Sequence, residues 1–220
     1  MNATVGIVCL QGGNELTPDC RPMDERLLSL APPGPVVVLP LASEPGRDYA
    51  TTAGNASAYF AALGAGVVAP EDPRGGSGAA ADAVDAAGLV VLTGGSPRRL
   101  RDALVATGLD DRIRRRWQVG SLIMGSSAGA MVACSTTLLP QWRGNPQTGP
   151  GLGLVPGHVV VPHYDGKRGG WVRTALSAEP AVLGIPECSG VLVQGGEMTA
   201  VGVAPSVLIT AAETAELSLS

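Results

Sequence analysis

A parallel β-sheet covered by helices on both faces, a three-layer doubly wound α/β fold, is what this 220-residue sequence predicts. Short apolar runs without polar alternation recur between helix-like segments, the pattern of strands buried on both sides. Glycine turns close several of these runs, at Gly12-Gly13, at Gly94-Gly95 and across residues 125–129. After Pro140 the runs become shorter and β-like, which predicts a β-rich, antiparallel extension at the C-terminal end. No linker and no repeat interrupts the chain, so one domain over residues 1–220 is expected.

Taken in order, residues 5–10 read as a buried first strand that stops at Gln11-Gly12-Gly13-Asn14-Glu15. Residues 16–30 place Met23, Leu27, Leu28 and Leu30 in a polar setting, a short helix that Pro32-Pro33-Gly34-Pro35 ends. Val36-Val37-Val38-Leu39 is the second strand. Residues 47–63 carry Tyr49, Ala53, Ala56, Tyr59, Phe60 and Leu63 at helical spacing, and Val67-Val68 begin a short third strand. A brief helix over 79–87 precedes the strand at 89–93. Pro97 suits a first helical position, so 98–107 is helix, followed by another over 110–117 and a strand over 119–124. The later β-like runs are 159–161, 182–185, 191–194, 199–203 and 207–210.

Hydrophobic residues make up 45% of the chain but aromatics only 3%, so the core has to be built from Val, Leu, Ile and Ala. A net charge of −4 without a basic run gives no support for a nucleic-acid partner. Arg112, Arg114, Arg115 and Arg116 read as a solvated helix face. The four cysteines, Cys9, Cys20, Cys134 and Cys188, show neither C-x-x-C nor metal-ligand spacing, so no metal site is expected, and Cys9 and Cys134 read as reduced core residues. No apolar stretch approaches the length of a membrane span, and the N-terminus enters a strand-like run without the basic start of a secretory signal. A soluble cytoplasmic protein with no membrane partner is the expectation.

The chemistry-bearing stretch is Leu122-Ile123-Met124-Gly125-Ser126-Ser127-Ala128-Gly129-Ala130-Met131. It reads as strand, sharp turn and helix, a G-x-S-x-G elbow whose register selects Ser127, with Gly125 two before it and Gly129 two after. A serine hydroxyl needs a base within hydrogen-bond reach, and only two histidines are available, His158 and His163, both after the serine. No Asp or Glu occurs between Ala128 and Pro162, which excludes the order serine, acid, histidine. His163 follows Val159-Val160-Val161-Pro162 and so stands at a strand's C-terminal end, where the other site turns collect; His158 stands at its start. Asp165 is too local to orient the ring. Glu187, in Gly184-Ile185-Pro186-Glu187, follows another apolar run, with an exposed turn carboxylate as the competing reading.

Six stretches together resemble peptidase family S51, the group containing aspartyl dipeptidase and cyanophycinase. They are Gly12-Gly13-Asn14-Glu15, Leu92-Thr93-Gly94-Gly95-Ser96, Gly125-Ser126-Ser127-Ala128-Gly129-Ala130, Gly151-Leu152-Gly153-Leu154, Val161-Pro162-His163-Tyr164 and Gly184-Ile185-Pro186-Glu187. The resemblance implies a flavodoxin-like, class I glutamine amidotransferase-like fold. It also implies Ser127 as nucleophile, His163 as base, Glu187 as third member, and oxyanion donors at Gly95 and Ala128. The implied reaction is amide hydrolysis through an acyl-enzyme on small peptides with an acidic residue on the acyl side, with no cofactor. Arg143, Arg168, Arg173 and Lys167 are candidates to hold that acidic group. Ser96-Pro97-Arg98-Arg99 departs from the family's usual polar residues after the double glycine, and Pro97 removes a backbone donor. A non-catalytic small-molecule binder on the same scaffold is the alternative. The expected partner is a small peptide, and a homodimer is compatible with the chain.

Overall fold

The computed structural model describes residues 5–167 and 169–219. Apolar runs become strands where the sequence places them: β1 (Val8–Gln11), β2 (Val36–Leu39), β3 (Val67–Val68), β4 (Leu89–Leu92) and β5 (Leu122–Ser126). Between them lie α1 (Arg21–Leu30), α2 (Arg47–Ala62), α3 (Gly78–Ala86), α4 (Pro97–Thr107) and α5 (Leu109–Gln118), and α6 (Ala128–Ala133) follows β5. Pro97 occupies the first position of α4, where its missing N–H would have no intrahelical acceptor, and Ser96 caps the helix by accepting from the Arg99 amide at 3.2 Å. Gly108, at φ +69°, ends α4.

The five strands pair in parallel in the order β1-β5-β4-β2-β3. Alternate residues of each strand feed two separate cores. Val36, Val38, Leu89, Val91, Leu122 and Met124 meet Met23 and Leu27 of α1 and Ala56 and Phe60 of α2. Val37, Leu39, Val90, Leu92 and Ile123 meet Val84, Leu100, Leu104, Ile113 and the apolar side chains of α6. This is the three-layer arrangement that continuous apolar strands require.

Three features depart from the sequence reading. The fifth strand begins at Leu122 instead of Val119, because Val119 and Gly120 close α5 through bonds to the Arg115 and Trp117 carbonyls. A hairpin, β6 (Thr136–Leu139) with β7 (Gln147–Pro150), was not legible in its polar second arm. The C-terminal part is β-rich, but it is not one antiparallel unit. β8 (His158–Pro162) pairs in parallel with β9 (Ala181–Ile185), with α7 (Gly169–Leu176) as the crossover between them. β10 (Ser189–Gln194) joins the main sheet antiparallel to β1, and β11 (Glu197–Gly202) extends it. Only β12 (Val207–Thr210) and β13 (Thr214–Glu216) continue β9 in antiparallel fashion. Among the described residues no helix is long and apolar enough to cross a membrane.

Candidate active site

The C-terminal ends of β1, β5 and β4 lie side by side, with Gln11 opposite Ser126 and Leu92 opposite Gly125. In open α/β sheets such strand ends form the ligand-binding edge. Ser127 sits between β5 and α6 at φ +48° and ψ −102°, a conformation that L-residues adopt only when their surroundings enforce it. Its N–H donates to the Gln11 carbonyl at 2.9 Å, and its own carbonyl accepts from Met131 at 3.0 Å. The flanking glycines make the crossing tight enough. A Cβ on Gly125 would stand 2.4 Å from the Gly129 carbonyl, and one on Gly129 would stand 2.2 Å from the Leu92 carbonyl oxygen. The elbow therefore needs both glycines to press α6 onto β5 and β4.

His163 follows the last residue of β8, and its backbone is also left-handed, at φ +50°. Its N–H donates to the Gly12 carbonyl at 2.8 Å, which aims the ring across the β1 turn. Nε2 lies 3.0 Å from Ser127 Oγ, and Nδ1 lies 2.7 Å from Glu187 Oε1. For the serine hydroxyl to donate, Nε2 has to be unprotonated, so Nδ1–H donates to Glu187. Glu187 stands just past β9, and the next residue, Cys188, donates its N–H to the Gly13 carbonyl at 3.0 Å. The side chains of His163 and Glu187 are 34% and 55% exposed, so water screens the pair and it adds little to stability.

The backbone donors near the serine can be sorted by what already occupies them. Gly94 N–H donates to Glu15 Oε1 at 2.6 Å and Ser96 N–H donates to the Ala42 carbonyl at 3.0 Å, whereas the amide between them, that of Gly95, has no hydrogen-bond acceptor among the described residues. Ala128 is the first residue of α6, and the first amides of a helix have no intrahelical acceptor.

Of the remaining sequence candidates, His158 is turned away, with Nδ1 2.8 Å from the Pro156 carbonyl at the opposite end of β8. Arg143 is exposed in the loop between β6 and β7, and Arg173 is exposed on α7. Neither hydrogen-bonds to Ser127, His163 or Glu187, but β6 and α7 both pack against β8, the strand that ends at His163. Lys167 lies 4.0 Å from Asp165, and Arg168 lies outside the described residues. Among the described residues no three of His, Cys, Asp and Glu gather so as to hold a metal ion.

Two groups that residue order does not single out are the side chain of Glu15, which holds Ser126, and the carbonyl of Gln11, which holds the amide of Ser127. The signal was present in the stretch Gly12-Gly13-Asn14-Glu15, whose two glycines mark a turn too tight for side chains. A Cβ on Gly13 would stand 2.2 Å from His163 Cε1.

Comparison with known proteins places this site in context. Residues 8–201 match the family described as peptidase family S51. A crystal structure of a peptidase from an acI-B1 Actinobacterium superposes with a TM-score of 0.84 at 21% identity, covering 100% of this chain and 97% of that one. A 1.5 Å structure of a putative peptidase E protein from Listeria monocytogenes EGD-e gives a TM-score of 0.69 at 18% identity, covering 91% of this chain and 100% of that one. Both likenesses are of fold.

Proposed function

The chain belongs to peptidase family S51, and from that premise we propose that it is a serine hydrolase cleaving amide bonds of small peptides or peptide-like metabolites through an acyl-enzyme. Ser127 is the nucleophile, His163 the base and Glu187 the carboxylate that orients the imidazole. The observation that carries this reading is the 3.0 Å separation of Ser127 Oγ and His163 Nε2 at a left-handed elbow.

The steps follow from what each atom can reach. Ser127 Oγ attacks the scissile carbonyl carbon while His163 Nε2 takes its proton. The carbonyl oxygen becomes an oxyanion, which the Gly95 and Ala128 amides stabilise as donors already oriented before the reaction. Glu187 accepts from Nδ1–H throughout and favours the imidazolium. That imidazolium then gives its proton to the leaving amine, the C–N bond breaks, and the acyl group stays on Ser127. Water enters in the amine's place, His163 removes its proton, and the same steps in reverse release the acid.

Two exposed arginines, Arg173 on α7, which packs against β8, and Arg143 in the loop that follows β6, support an acidic residue on the acyl side of the substrate. A screen of dipeptides and isopeptides should then show turnover concentrated on acyl-side aspartyl or glutamyl bonds. Stoichiometric labelling by a fluorophosphonate is expected for the native chain and none for Ser127→Ala, with unchanged circular dichroism. The substitution should remove several kcal/mol of transition-state stabilisation. Hydrolysis surviving in Ser127→Ala would end the reading.

A further inference from the structure

We propose that Glu15 is a positioning residue that sets the oxyanion-binding loop against the nucleophile elbow. This rests on the serine-hydrolase reading above and adds a residue that reading does not use. Glu15 lies in the turn after β1, yet its carboxylate is bound beyond it. Oε2 accepts from the Ser126 hydroxyl at the end of β5 at 2.8 Å, and Oε1 accepts from the Gly94 amide after β4 at 2.6 Å. In the sheet order these are the next strand and the one after it, so one carboxylate joins the ends of two neighbouring strands.

What it grips is informative. Ser126 precedes the nucleophile, and Gly94 precedes the amide of Gly95. Ser126 is fully buried, so its hydroxyl requires a partner inside the protein, and Glu15 is that partner. Backbone bonds add to this: Ser96 N–H to the Ala42 carbonyl holds the far side of Gly95, and Ser127 N–H to the Gln11 carbonyl holds the nucleophile itself. Glu15 thus completes the bracketing of the Gly95 amide and anchors the residue before the nucleophile, and it does so with a carboxylate acceptor, the stronger kind of hydrogen bond. The strained neighbours Asn14 and Leu16, at φ +58° and +63°, turn the chain back on either side of it. The carboxylate hydrogen-bonds to neither Ser127 nor His163, so its effect passes through the two loops it joins.

The test uses the kinetics of fluorophosphonate inactivation, which needs no known substrate. Ser127 Oγ bonds to phosphorus, fluoride leaves, His163 takes the serine proton, and the phosphoryl oxygen occupies the oxyanion position. Glu15→Ala should lower the maximal inactivation rate, kinact, at least ten-fold with KI within two-fold. Glu15→Asp, one methylene shorter and unable to span both partners, should do the same. Glu15→Gln should stay within three-fold of native, since its carbonyl oxygen can accept from Gly94 and its NH2 can donate to Ser126. The Asp and Gln variants also carry the test if the alanine variant does not fold. Native kinact in both Ala and Asp, a loss confined to KI, or a glutamine variant as slow as alanine would each overturn the proposal. Ser127→Ala run alongside separates the two readings. A native chain that does not label, or a Ser127→Ala chain that does, defeats the serine-hydrolase reading itself.

Discussion

At the scale of single residues, the turn after β1 organises the site more than the serine turn does. Gln11 holds the amide of Ser127, Gly12 that of His163, Gly13 that of Cys188, and Glu15 the loop that carries Gly95. Gly13 bears the demand set by the ring itself, because any side chain there would enter the imidazole, and its φ of +119° also disfavours one. Gly13→Ala is expected to fold but to push His163 away from Ser127. A displacement of about 1 Å at a reacting group lowers rates about 100-fold, so fluorophosphonate labelling should slow by roughly that factor, and a native rate would show that the ring does not need this floor. The pairing of Ser127 with a later histidine was legible from residue order, since both histidines follow the serine. Order left the acid open between one after the histidine and one before the serine, and the family resemblance pointed to Glu187. Glu15 was not legible in that way. Its two partners lie 79 and 111 residues downstream, and only the sheet order brings them to it.

At the scale of elements, the strands and helices of the first 134 residues were legible because buried parallel strands leave uninterrupted apolar runs. β7 was not, because the sequence Gln-Thr-Gly-Pro of residues 147–150 lacks both alternation and apolar content. The parallel pairing of β8 with β9 was hidden for a different reason: α7 starts with Gly169-Gly170, which reads as a turn and not as a crossover helix. Helix α1 holds a feature that pattern cannot show. Asp24 is fully buried, its Oδ2 accepting from Tyr59 at 2.7 Å while Oδ1 has no partner. Burial raises its pKa from 3.8 to about 7, the Tyr59 bond opposes that shift and the charge of Glu15 adds to it. The folded chain therefore keeps a proton that an unfolded aspartate has released. This contribution to stability is largest in acid, declines as the pH rises from about 4 to about 7, and is absent above that. Asp24→Asn should gain on the native chain across that window by a few kcal/mol, at about 1.4 kcal/mol per pKa unit. Urea midpoints of both proteins at pH 4.5, 6 and 7.5 measure the gap; a constant gap would mean that Asp24 is charged in the fold.

At the scale of the whole molecule, one sheet serves two cores, and this bears on how the protein comes apart. Because β1, β2, β4 and β5 alternate their side chains between the α1–α2 layer and the α3–α6 layer, neither layer can leave without exposing strand residues on the face it covered. With only seven aromatic residues in the chain, Phe60 on α2 is the bulkiest fully buried side chain. It belongs to the α1–α2 core, whereas Trp117 and Trp171 pack against the other. Phe60→Ala should cost ~3–5 kcal/mol through lost burial and the cavity left behind. For a chain of this size that lowers Tm by roughly 10 °C. If the sheet couples the two layers, tryptophan fluorescence, which reports mainly from the far core, and far-ultraviolet circular dichroism, which reports from all helices, should fall together at the lowered Tm. Fluorophosphonate labelling below that temperature should be unchanged, since Ser127, His163 and Glu187 are held by the strand ends and not by α2. A tryptophan transition left at the native temperature while the helical signal falls early would mean that the layers unfold independently, and the shared sheet would then not be what holds the two halves together.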